Sequence, residues 1–377
     1  MKRLNLINSV ILGCIILLTV GCKKDEEANP VPGAPDTYAF ERNGATSVSY
    51  SGQTERLDML EILTNTMKNG NTVGTEVNAQ DLKNMFRNEG DAFAPLSFGK
   101  DLFSKCYSGD TDMIEGWMDE LAANSSATES ATPGTAGVVL ETGSTTDGYL
   151  VNDHGIELTQ VISKTLMGSV FFYQAMESYL TSERMGTVGN DEVEDGANHT
   201  EMEHYFDEAF GYFGAPTDFP SAVTIDNARF WAKYCDRRNG DSQPGINNAL
   251  MDAFINGRHA IVNTTYDDRD AAIATVAEKW GIVIAATAKD YLSSALSTTG
   301  IAAHSKHHAL SEAIGFMHSL KYHFANGNSK VSPLYNYSSV EQALTFVGMS
   351  TDFYTLTDTE IQSAIDNLDQ AFPNVSL

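Results

Sequence analysis

Two separated stretches of the chain repeat one arrangement of reactive side chains. His204-x-x-x-Glu208-Ala209-x-Gly211 and His308-x-x-x-Glu312-Ala313-x-Gly315 each end on an aromatic residue, Tyr212 and Phe316. On a helix, residues four apart share a face, so each imidazole reaches the same space as its carboxylate. The glycine returns to that face without a side chain, which lets a partner helix approach closely or opens a cavity. A neutral imidazole and an ionised carboxylate meeting at a helix crossing suit a borderline divalent cation or iron. His304 stands one turn before His308, and His154 and Glu157 have the i, i+3 spacing of ligands on one side of a helix. The expectation is that His204, Glu208, His308 and Glu312 face one internal space, with His304, His154 and Glu157 as further contributors. The alternative is two hydrogen-bonded pairs beside tight helix contacts.

Other chemistry has little to stand on. There is no His-Glu-x-x-His for zincin-type proteolysis and no Gly-x-Ser-x-Gly elbow. Asp191 to Gly196 is acidic, but a calcium loop starting at Asp191 would need an oxygen ligand at Val193 and a glutamate at Met202, so it reads as a solvated loop. His307, His318 and His323 are assigned to the core or the surface. No CxxC pair exists, and Cys106 and Cys235 are left as a candidate disulfide for an oxidising compartment.

These residues must be positioned by helices. Asn43-Gly44 between two alternating runs predicts one β-hairpin over 38–50. Leu57, Leu60, Leu63 and Met67 then recur at helix spacing, with Thr54 as the expected N-cap. Short helices are expected around Leu82–Phe86 and Met113–Leu121. Residues 124–148, rich in Ser, Thr, Gly and Ala, read as a loop with an extended piece at 138–140. A long helix is expected over 156–183. Another starts at Thr200, whose Thr200-x-x-Glu203 pattern is a capping box. Further helices fall near 222–236, 246–263, 269–297, 303–324 and 358–371. The fold class is all-α, expected as two packed helical bundles with a small N-terminal β-hairpin, in approximate halves 37–214 and 215–377.

The N-terminus reads as an export signal. Lys2 and Arg3 precede an apolar stretch from Leu4 to Val20, too short and interrupted for a transmembrane anchor. Thr19-Val20-Gly21-Cys22 resembles a lipobox, which makes 1–21 the leader, Cys22 the lipidated residue and 22–36 a tether. Lys23-Lys24-Asp25-Glu26-Glu27 resembles the export signal of surface lipoproteins of the Bacteroidetes. The expected location is the outer membrane, facing the cell surface, with the periplasmic face as the alternative. No long apolar segment is read in the mature chain, which leaves the lipid as the membrane contact. The net charge is −26, more negative once Lys2 and Arg3 leave. Such a surface repels nucleic acid and favours cations.

The leader, the lipid anchor, the two-bundle body and His154-x-x-Glu157 together resemble the imelysin-like proteins, and more closely a Bacteroidetes lipoprotein family of unknown function with imelysin-like organisation. Their motif is Gly-x-His-x-x-Glu. His154 and Glu157 match its second half, with Asn152 in place of the glycine. Gly257-Arg258-His259 matches its first half, with Val262 in place of the glutamate. The resemblance implies a lipid-anchored binding protein for iron, another metal or a metal complex, serving nutrient uptake beside outer-membrane uptake components. The alternatives are an imelysin-type metallopeptidase and a non-catalytic surface scaffold or adhesion lipoprotein.

Overall fold

Asn43 and Gly44 both take positive φ, 55° and 76°. This type I′ geometry joins β1 (Glu41–Arg42) to β2 (Ala45–Thr46) as an antiparallel hairpin where the Asn-Gly signal places it. The computed structural model describes residues 33–296 and 303–377. The leader, Cys22 and most of the tether lie outside the described residues.

Helix dominates, at 56%, with two small two-stranded sheets, so the all-α expectation holds. The order among the described residues is α1 (Ser51–Met67), α2 (Ala79–Arg87), α3 (Thr111–Ser125), β3 (Gly137–Leu140), β4 (Gly148–Val151), α4 (Leu158–Leu166), α5 (Glu201–Phe213), α6 (Phe230–Asn239), α7 (Ile246–Val262), α8 (Tyr266–Leu296), α9 (Ala303–Ser319), α10 (Tyr337–Phe346) and α11 (Asp358–Ala371). Three details depart from expectation. Residue 54 lies inside α1, whose N-cap is Tyr50. The extended piece at β3 pairs with β4 as a second hairpin. α10 was not anticipated.

The long helix after residue 156 is α-helical only to Leu166. It continues as two π-helical stretches, Met167–Phe172 and Ala175–Tyr179. Wider turns free backbone carbonyls, which must find other donors when buried. Trp231 Nε1 donates to the Met167 carbonyl at 3.0 Å, and the Tyr107 amide to that of Ser169 at 2.9 Å.

The helices of both sequence halves bury their apolar faces in one cluster. α8 runs through it against α6, α7, α9 and α11. Trp280 of α8 is fully buried, and Phe172, Phe213, Phe254 and Trp231 surround its ring. By length and composition α8 could cross a membrane, but 72% of its apolar window is buried inside the protein, which makes it a core helix. Cys106 and Cys235 are buried free thiols and form no disulfide. Cys106 instead lies against Ser169 Oγ at 3.3 Å.

Candidate metal centre

The first turn of α5 organises a cluster of metal-ligating side chains. Thr200 caps the helix by accepting the Glu203 amide, and the Glu203 carboxylate accepts the Thr200 amide at 2.8 Å. Both bonds of the expected capping box are therefore present. Just before the cap the chain turns back on itself. Val193 bridges Thr200 in antiparallel fashion, the Glu194 amide donates to the His199 carbonyl at 3.0 Å, and Gly196 takes φ 77° in the bend. Glu194 and His199 thus face each other across the turn, and His204 reaches them from one turn into the helix.

The loop is held from both sides. Asn190 Oδ1 accepts the Thr200 hydroxyl at 2.6 Å, and its Nδ2 donates to the Ile261 carbonyl. Asn198 Nδ2 donates to the carbonyls of Arg42, Ala45 and Thr46 on the first hairpin. Glu203 is paired with Arg42 at 2.8 Å and with the fully buried Arg258 at 2.9 Å. Arg258 also meets Asp207 at 2.9 Å. The elements beneath the loop are therefore fixed by buried charge pairs.

One carboxylate oxygen faces two ring nitrogens. Glu194 Oε2 is 3.0 Å from His199 Nδ1 and 3.2 Å from His204 Nδ1. All three donor atoms lie within 4.8 Å of one another. Donors at about 2.1 Å around a tetrahedral cation stand roughly 3.4 Å apart, so these separations are close to the edges of a coordination shell. The His199 contact has hydrogen-bond distance but not its alignment, and that buried nitrogen has no hydrogen-bond partner among the described residues. Burial, reinforced by the neighbouring His204, holds the His199 pKa below its ordinary value. The ring is therefore neutral at neutral pH, with a lone pair free to bind a cation. The His199 side chain is 10% exposed, whereas His204 and Glu194 are 33% and 39% exposed. The centre is thus closed from below and open to solvent above.

The two His-x-x-x-Glu motifs are not brought together. Of the seven sequence-predicted ligands, only His204 belongs to the triad. Glu208 accepts from Gln53 Nε2 at 2.8 Å, and no hydrogen bond, ion pair or ring contact among the described residues joins the α5 pair to the α9 pair. His308 has its own cluster. Its Nδ1 is 2.7 Å from Glu157 Oε2 and its Nε2 is 3.5 Å from Glu312 Oε1. Burial lowers its pKa, but the hydrogen bond and charge of Glu157 outweigh this and the net shift is upward. With both ring nitrogens facing carboxylates, the imidazolium form of His308 is favoured, and that form has no lone pair for a metal. Lys164 adds a second cation, 3.4 Å from Glu312 Oε1. His304 and His308 lie against the Tyr149 ring, at centroid distances of 5.9 and 4.5 Å. His154 is half exposed and does not meet Glu157. It lies 3.9 Å from Asp153, and its carbonyl accepts the Phe353 amide.

His199 and Glu194 were missed because neither lies on a periodic helix face. The signal available was the spacing Glu194-x4-His199-x4-His204, with the capping box between the two histidines to fix the geometry.

A family model described as "Domain of unknown function (DUF4856)" matches residues 35–371. Nothing among the curated proteins and nothing among the solved structures matches the chain.

Proposed function

The chain belongs to the DUF4856 family, and we propose that it is an exported, lipid-anchored binding protein that captures a first-row divalent cation, or a complex of one, at Glu194, His199 and His204. The observation that carries this reading is the single Glu194 oxygen facing both Nδ1 atoms, at 3.0 and 3.2 Å. Two imidazoles and a carboxylate suit zinc, iron or nickel better than calcium. Three protein donors with an open side leave room for water or an exogenous ligand. Acidic composition supports cation capture at the surface. The lipobox-like Thr19-Val20-Gly21-Cys22 supports membrane anchoring.

Metal content after equilibration and gel filtration tests the site. The wild type should retain about one equivalent of zinc or iron(II) per chain, and the variant combining Glu194→Gln, His199→Gln and His204→Gln should retain none, while His308→Gln binds as the wild type does. Equal metal content in the triple variant would overturn the assignment. A peptidase assay with and without chelator separates capture from hydrolysis. For the anchor, Cys22→Ala should abolish acyl labelling. A variant that still acquires label would refute the lipid assignment.

A further inference from the structure

Positive charge is scarce in this chain, with 24 basic against 50 acidic residues, yet one cleft collects five of the basic side chains. Its volume is about 360 Å³, and Lys68, Lys164, Arg229, Lys233 and Arg237 line it. The wall is built by the C-terminal end of α1, the last turn of α4 and one side of α6 along most of its length. Of its two carboxylates, Glu61 is already engaged by Arg229 at 2.9 Å, while Asp226 has no ion pair among the described residues. Lys68, Lys233 and Arg237 have no carboxylate partner among the described residues, although free carboxylates abound elsewhere on the surface. Arg237 lies over the Tyr234 ring at 5.2 Å, and Lys164 faces the same ring at 5.5 Å. Both cations thus lie beside one aromatic ring.

A second observation marks the same place. Phe230, also in the lining, has φ 45°. A bulky aromatic residue in the left-handed region is strained, and strain of this kind collects at binding and catalytic sites. Arg229, just before it, is held by Asp58 at 2.7 Å and Glu61 at 2.9 Å, while Lys233 lies in the first turn of α6.

We propose that this cleft binds a small organic or inorganic polyanion, one that presents several carboxylate or phosphate oxygens to Lys68, Lys233 and Arg237. The volume fits a ligand of that size. A cleft in which basic side chains outnumber acidic ones focuses positive potential and concentrates anions even when the whole molecule is negative. The site is separate from the Glu194–His199–His204 centre and does not depend on metal binding there.

Calorimetric titration of the detergent-solubilised full chain at low ionic strength tests it, with citrate and inorganic phosphate as separate probes. Saturable binding of either supports the cleft, and the preferred probe tells whether carboxylate or phosphate oxygens are read. Lys233→Ala with Arg237→Ala should weaken that binding by about tenfold or more, because both side chains are exposed and carry no ion pair. Lys83→Ala, a surface change elsewhere, should not weaken it. The proposal fails if neither probe binds saturably, or if the double variant binds as tightly as the wild type while its circular dichroism spectrum is unchanged.

Discussion

Lys164 holds Glu312 at one end and packs against the glycine of the same motif at the other. Its Nζ is 3.4 Å from Glu312 Oε1, and its Cβ lies 2.5 Å from where a Cβ on Gly315 would stand. Gln53 has the same relation to α5. Its Nε2 is 2.8 Å from Glu208, and its Cβ is 2.9 Å from the position of a Gly211 Cβ. The repeated His-x-x-x-Glu-Ala-x-Gly pattern is thus a docking device used twice. The glycine admits one residue of the partner helix, and the glutamate three positions earlier receives that residue's polar tip.

Adding a methyl group at either glycine should be costly. Gly315→Ala and Gly211→Ala are each expected to destabilise by about 1–3 kcal/mol through overpacking. Gly116, on the exposed face of α3, meets nothing within 4 Å, and Gly116→Ala should stabilise by roughly 0.5–1 kcal/mol. Urea unfolding of the three variants checks the contrast.

His308 should stabilise the fold more in acid than in base. Its folded pKa lies above its ordinary value because the carboxylates of Glu157 and Glu312 overcome burial. The contribution is then complete below about pH 6.5, the unfolded value, and disappears as pH rises through the folded value. The stability difference between wild type and His308→Gln should therefore be larger at pH 6 than at pH 9, read from urea midpoints. A difference that grows with pH would contradict the imidazolium assignment.

His323 should act with the opposite sign. It is 2% exposed, and burial pushes its pKa down to about 4. No carboxylate among the described residues pairs with its ring, whose Nε2 faces Ser329 Oγ and the Val331 carbonyl, both at 3.1 Å. As pH falls from about 6.5 toward 4, the unfolded chain takes up a proton that the folded one refuses, and stability drops by up to ~3 kcal/mol. His323→Gln should flatten that part of the pH profile of thermal unfolding.

Arg258 is fully buried between Glu203 and Asp207, and its Nη2 also donates to the Ser47 carbonyl at 3.0 Å. Arg258→Met leaves two carboxylates buried, with Arg42 as a remaining partner of Glu203 alone. A loss of about 3–5 kcal/mol is expected, accompanied by earlier proteolytic cutting near the first hairpin. Arg42→Met should cost less, because Arg42 is partly exposed and Arg258 still pairs with Glu203.

The sequence made the elements legible where a local signal was strong. Asn43-Gly44 and Thr200-x-x-Glu203 sit where their chemistry requires, and most helices follow from apolar spacing. β4 escaped because Gly148–Val151 is too short to alternate, and α10 because it buries only Val340 and Ala343. The π-helical turns after Leu166 leave no mark on a stretch that is apolar on nearly every side. For the metal centre, His204 was legible, but its partners come from a turn whose path is set by Asn190, Gly196 and Asn198 rather than by a periodic face. The helical repeat did mark two real junctions, and its histidines and glutamates were misread as one site because matched spacing says nothing about whether two helices meet.

The clamp of Asn198 on the first hairpin also sets a height. The hairpin is the first folded element after the tether, and Asn198 binds three of its carbonyls next to His199. From Cys22 to Arg42 a fully stretched chain spans at most about 70 Å. On the proposed anchor at Cys22, the triad would stay within roughly that reach of the bilayer. On that reading, capture would take place in a shell whose depth is set by the tether and not by the folded domain.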